Sequence, residues 1–223
     1  MLAKKVAAKQ ENLLEPAAPQ WANAEQVYLP MMPTPLASQP SPYIRVSWLQ
    51  RPYGKVRSVK AASLHNGEEI FFRLEWNDPE KNDTLTDSTF PDGAALLFPM
   101  GSDAPILTMG DKEHPVNAWH WRADLAEHGR NNVAHGLGST VLSEKSHITC
   151  RASWDNGGWP WYTGVWRVVF CRPLSLPDQA AEAIQLKPGQ EVRFGVAVWQ
   201  GQNAERAGIK AFSQKWQRMM IEA

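Results

Sequence analysis

Beyond residue 43 the apolar residues come in short runs broken by turn formers, and no long stretch keeps the three-to-four-residue spacing of an amphipathic helix. Seven runs read as strands: 44–49, 56–64, 69–76, 94–98, 148–154, 165–171 and 191–199. Between the second and third stands Asn66-Gly67, a pair that tolerates the positive φ of a tight hairpin turn. Short strands with turns between them predict a mostly β chain, folded as a single β-sandwich with few short helices. Helical signal is confined to 180–186, ended by Lys187-Pro188-Gly189, and to 204–207, with Asn203 as a cap and Gly208 as a stop. The final stretch, 214–221, leans to strand. Ahead of all this, Pro16, Pro19, Pro30, Pro33, Pro35, Pro40 and Pro42 predict an irregular arm over 1–42, leaving the sandwich to 43–223.

Charge narrows the partners. The chain of 223 residues carries 23 basic and 23 acidic side chains without a basic stripe, which argues against nucleic acid. No apolar run approaches the roughly 20 residues of a membrane span. Residues 1–14 are interrupted by Gln10, Glu11 and Asn12 and lack the apolar centre of a secretory signal. Cys150 and Cys171 are too few for a disulfide framework; a single bridge and two buried thiols both remain open. Eleven tryptophans, by contrast, imply a large aromatic interior or a stacking surface.

Familiar catalytic patterns are missing. His114, His120, His128, His135 and His147 share one region, yet none forms H-E-x-x-H or an i, i+4 pair. No G-x-S-x-G elbow occurs, and Gly136-Leu137-Gly138 lacks the third glycine of a dinucleotide loop. Two readings of the aromatic content remain: a stacking face for a sugar, or the lining of a pocket for a planar cofactor. Met109 ends the run Ile106-Leu107-Thr108 beside Gly110, where a thioether can fill a core or ligate iron. Lys210, within a polar segment, reads on its own as a surface charge.

Several segments, taken in order, resemble the haem b γ subunits of ethylbenzene dehydrogenase, dimethylsulfide dehydrogenase, chlorate reductase and selenate reductase. They are Met32-Pro33-Thr34-Pro35-Leu36, Ala62-Ser63-Leu64-His65-Asn66-Gly67, Arg73-Leu74-Glu75-Trp76, and Phe90-Pro91-Asp92-Gly93 with Phe98-Pro99. Next come Thr108-Met109-Gly110, Pro115-Val116-Asn117-Ala118-Trp119-His120-Trp121, Cys171-Arg172, and Ala197-Val198-Trp199 leading into Gly201-Gln202-Asn203-Ala204-Glu205-Arg206 and Lys210. The main departure is a tryptophan-rich insertion over 155–162.

The resemblance implies a β-sandwich holding one b-type haem, with Met109 and Lys210 as its axial pair. Phe98, Trp119, Trp121 and Trp199 are then candidates for the pocket lining, and Arg122 and Arg206 for the propionates. The same family implies a non-catalytic relay within a heterotrimer, beside a molybdopterin α subunit and an iron–sulfur β subunit. Electrons would pass to an external acceptor such as a c-type cytochrome, in a periplasm reached on a partner's export signal. Hydrocarbon hydroxylation of the ethylbenzene kind is the expected activity of the complex. No C-x-x-C-H is present, so such a haem would be held without covalent attachment. The alternative expectation is a haem-free, tryptophan-rich carbohydrate-binding module.

Overall fold

A computed structural model describes residues 1–87, 89–101, 104–157 and 163–223. The strands in its first half are β1 (Leu2–Lys5), β2 (Gln26–Pro33), β3 (Ser58–His65), β4 (Glu69–Asn77), β5 (Gly93–Pro99) and β6 (Val116–Arg122). The second half adds β7 (Arg130–Ala134), β8 (Thr140–Leu142), β9 (Thr149–Asp155), β10 (Val165–Pro173), β11 (Glu191–Trp199), β12 (Ala211–Ser213) and β13 (Gln217–Ile221). Two short helices accompany them, α1 (Gln10–Leu14) and α2 (Pro42–Trp48). The chain is a mostly β sandwich, and among the described residues no helix is long and apolar enough to cross a membrane.

One layer runs β9-β10-β4-β3 and the other β8-β7-β6-β5-β11-β12. Strand β2 belongs to both: Gln26 to Pro30 pair with β3, and Met31 to Pro33 pair with β12. A second seam forms where β1 lies parallel to both β3 and β13, and β13 pairs with β11. Apolar side chains of the two inner faces meet between the layers. Phe72 of β4 packs edge-on against Phe98 of β5 and Trp119 of β6, at centroid distances of 5.6 and 5.8 Å. Trp121 and Trp166 meet edge-on at 5.1 Å, with Trp76 stacked on Trp166 at 6.4 Å. Each such pair adds about 0.5–1.5 kcal/mol beyond its buried area.

The hairpin at Asn66-Gly67 forms as expected, with Gly67 at φ 100° and Asn66 Oδ1 accepting from the amides of Glu68 and Glu69 at 3.0 and 2.7 Å. Other segments differ from expectation. Residues 44–48 fall in α2, with Leu49 as its C-cap, instead of a strand, because Ser41 accepts from the Ile44 amide at 3.4 Å and Pro42 presets the first turn. Within the arm 1–42, β1 and β2 are ordinary sheet strands. Pro30 and Pro33 end the two halves of the β2 ladder, where few amides are needed.

Segment 180–186 is not helical, since its backbone is claimed by side chains: Asn117 Nδ2 donates to the Glu182 carbonyl at 3.1 Å, and Asn117 Oδ1 accepts from the Ile184 amide at 3.2 Å. Segment 204–207 is not helical either, because Ala204 and Ala207 adopt left-handed backbone (φ 56° and 50°). Asn203 there donates to the Pro52 carbonyl at 2.9 Å. Of the expected insertion, residues 158–162 lie outside the described residues.

Cys150 and Cys171 are free thiols, both buried. Cys150 stands opposite Phe170 and Cys171 opposite Thr149, so the period-two pleat turns the two sulfurs to opposite faces of the sheet. Burial pushes Cys171 up to about 12 and raises Cys150 well above its ordinary value.

Candidate functional site

Parity along β5, β6 and β11 shapes the outer face of their sheet. Gly93, Ala95 and Leu97 on β5, Ala118, His120 and Arg122 on β6, and Ala197 and Trp199 on β11 all point away from the core. Four of these are glycine or alanine, so the face is concave. Segments around Pro40, Ile44 and Trp48, around Phe90, around Leu137 and around Ile209 rise over it to enclose a cavity of about 740 Å³. That size lies within the ~300–1,000 Å³ of small-molecule and cofactor sites.

Met109 and Lys210 come together in this cavity, with Lys210 Nζ 3.3 Å from Met109 Sδ. Met109 sits at φ 58°, a left-handed conformation costly for a side chain of its size. Its turn is held by Met109 N donating to the Ile106 carbonyl at 3.1 Å and Gly110 N to that of Pro105 at 2.8 Å. Gly110, at φ 81°, cannot be replaced there, since a Cβ would lie 2.5 Å from the His114 carbonyl oxygen. Lys210 immediately precedes β12, and its carbonyl accepts from the Thr34 amide at 3.0 Å.

The lysine is 3 % exposed. Beyond the thioether, its amine meets the Ala207 carbonyl at 3.4 Å and the Trp199 ring at 5.2 Å, and no carboxylate pairs with it among the described residues. Burial pushes it down to about 8. His120 shares the cavity, edge-on to Trp199 at 5.2 Å, and burial together with the nearby cations Arg130, Arg122 and Lys210 pushes it down to about 4.

The other expected lining residues divide. Trp199, Arg122 and Arg206 do line the cavity. Phe98, Trp119 and Trp121 do not: they occupy the alternate positions of β5 and β6 and are buried between the layers. Bulk suggested a pocket wall, but parity assigns them to the core. Arg122 is already engaged bidentately by Asp124, at 2.9 and 2.6 Å, whereas Arg206 is exposed and lies 4.3 Å from the Phe90 ring. The small residues Ala95, Ala118 and Ala197 were not named as lining, and neither was His120, weighed among five histidines without metal-site spacing. Their signal was present as small or polar residues at every second position of otherwise bulky strands.

Fold and site together define a β-sandwich domain whose outer-face cavity presents a thioether and an amine side by side. The family model described as "Ethylbenzene dehydrogenase" matches residues 18–147 and 136–211. The chain belongs to that family. It is 34 % identical over 164 residues to the chlorate reductase subunit gamma of Ideonella dechloratans, covering 72 % of this chain and 63 % of that one. Similarity to a protein described as a respiratory nitrate reductase heme subunit, from Haloferax mediterranei, is 28 % over 194 residues, 83 % of this chain and 66 % of the other. With the dimethylsulfide dehydrogenase subunit gamma of Rhodovulum sulfidophilum it is 30 % over 150 residues, 67 % and 55 %. The chain thus spans between about half and two thirds of the length of these relatives. Among solved structures, a protein described as carbohydrate-binding, from Bacteroides uniformis, superposes with a TM-score of 0.58 at 12 % identity, covering 100 % of this chain and 98 % of the other. That likeness concerns the fold.

Proposed function

We propose that the cavity holds one b-type haem between Met109 and Lys210, and that the chain relays electrons for a molybdenum oxidoreductase complex without reacting with substrate itself. The observation that carries this reading is the buried, acid-free Lys210 amine set 3.3 Å from the Met109 thioether inside a largely apolar cavity. A lysine can donate to a metal only as the neutral amine, and burial favours that form. A thioether is a suitable soft partner. The haem would supply a one-electron couple. Trp199 and His120 would wall it, Arg206 is placed to meet a carboxylate at the cavity mouth, and the Arg122 charge is shared with Asp124. With protein donors on both sides, no open position would remain for substrate or oxygen.

The named relatives support the assembly: two are gamma subunits of a chlorate reductase and a dimethylsulfide dehydrogenase, and one is described as a heme subunit. On this reading an iron–sulfur subunit delivers or receives electrons on one side, and an acceptor such as a c-type cytochrome stands on the other. The family's name favours an ethylbenzene-dehydrogenase-like hydrocarbon hydroxylase, working in the periplasm with a partner bearing the export signal.

The test is spectroscopic. Purified protein is expected to be red, to show the sharp split bands of a low-spin haem on reduction, and to lose the pigment to acid–acetone. Lys210→Ala should lose the haem or change its spin state, whereas exposed Lys215→Ala should keep the parent spectrum. A parent spectrum in both variants would remove Lys210 from the site.

A further inference from the structure

At one rim of the sandwich, beside the cavity, Asp78 after β4, Asn82 and Asp92 ahead of β5, and Gln200 after β11 come together. The two aspartates are fully buried. Asp92 Oδ1 accepts from the Gly201 amide at 2.8 Å, and Asp92 Oδ2 from the Asn82 amide and the Trp166 indole at 2.8 and 2.9 Å. Asp78 Oδ1 accepts from Gln200 Nε2 at 3.2 Å. No lysine, arginine or histidine pairs with either acid among the described residues. Burial, with Asp92's charge added, pushes Asp78 up to about 7, and burial pushes Asp92 up to about 6.

Three oxygens of these linked side chains are buried without a hydrogen bond of good geometry, Asp78 Oδ2, Asn82 Oδ1 and Gln200 Oε1, and a further donor beside Asp78, the Trp76 indole N–H, is itself unpartnered among the described residues. Gln200 is itself only 4 % exposed, and its amide is oriented by the bond to Asp78, which leaves the carbonyl end unclaimed. A buried polar atom without a partner costs about 1–3 kcal/mol, so three in one cluster call for a ligand that accepts oxygen lone pairs. Two carboxylates without counter-charge call for a cation.

We propose that this rim binds one Ca²⁺ ion through Asp78 Oδ2, Asn82 Oδ1 and Gln200 Oε1, with the charge of Asp92 behind them. The donor set is all oxygen, one carboxylate and two amides with a second carboxylate's charge behind them, which suits a hard cation and not the nitrogen and sulfur ligation of zinc or copper. Backbone carbonyls and water complete the ~6–8 ligands that Ca²⁺ takes. The ion fastens the cavity wall to the sandwich, because Phe90 and Gly93 flank Asp92 and both line the cavity. Gly201 is pressed against the same wall: a Cβ there would lie 1.9 Å from the Phe90 carbonyl oxygen.

The test uses the full chain as purified, with whatever pigment it carries. After chelator treatment and desalting, calorimetric titration with CaCl₂ should show one saturable site per chain. At Ca²⁺ a hundred-fold above Kd the melting temperature should rise on the order of 5–10 °C. Asp78→Asn should weaken binding at least tenfold. Calcium that binds the parent and Asp78→Asn equally overturns the assignment, as does a parent that retains no calcium by elemental analysis and melts identically with chelator or CaCl₂. If the variant fails to fold, those measurements on the parent decide alone. None of the readouts uses haem, so this site and the electron-transfer reading stand or fall separately.

Discussion

The sheet containing β5, β6 and β11 has two faces cut from the same strands and built to opposite ends. On the inner face Phe98, Trp119, Val196 and Val198 pack to near-zero exposure against the facing layer. The outer face sets Ala95, Ala118 and Ala197 at the intervening positions and leaves a cavity of about 740 Å³. Bulk on one side supplies rigidity, and small size on the other supplies room. Polar groups follow the same division: the Trp119 indole on the inner side is satisfied by Asn117 at 3.0 Å, while the Lys210 amine at the cavity faces a thioether.

The strongest way to break the comparison is on the inner face. Trp119→Ala should destabilise the fold by about 3–5 kcal/mol through loss of aromatic contact and a cavity that cannot collapse, measured by urea unfolding. A loss below about 1 kcal/mol would mean the inner face is not the core.

Next in size is the buried lysine of the outer face. In haem-free protein Lys210→Met should stabilise the fold by about 3 kcal/mol at neutral pH, since burial holds the lysine at about 8 against about 10.5 when unfolded. The sign follows from the lowered folded value. The gap should be full below pH 8, shrink as the folded lysine alone becomes neutral, and close above about 10.5. A gap independent of pH would show that packing, not charge burial, sets it.

Ala118→Leu sharpens the contrast further. Projecting from a buried position into the cavity, it should change stability by no more than about 1 kcal/mol, yet displace the proposed haem, read as a lower pigment-to-protein absorbance ratio. The smallest effect concerns the other layer, where the same alternation separates the two cysteines. At pH 8 both thiols should react with a thiol reagent far more slowly in native than in unfolded protein, and mild oxidant should form no intramolecular disulfide.

Much of the sandwich was legible in the sequence because buried strands such as β4, β10 and β11 are near-continuous runs of apolar and aromatic residues. What escaped were elements whose stability is tertiary. β6 and β7 carry Asn117, Asn131 and His120, polar residues that only the folded chain explains: Asn117 and Asn131 bond to one another at 2.6 Å and to the Glu182 carbonyl. Helix α2 has the composition of a strand, and only Ser41-Pro42 betrays it. At the site, the resemblance named Met109 and Lys210, which meet in the cavity, and the candidates Trp199, Arg122 and Arg206 line it. Phe98, Trp119 and Trp121 were misassigned because ring size was weighed without strand parity.

Strand β2, shared between the layers, has a mechanical consequence. Sliding one sheet past the other would tear ladder pairs on one or other half of this strand, so shear is stiff along this edge. Thr34 follows β2 directly and donates its amide to the Lys210 carbonyl at 3.0 Å. The lysine backbone is therefore pinned to a seam that neither layer can displace alone, and what adaptation the amine has toward a guest comes from its own four-carbon stem.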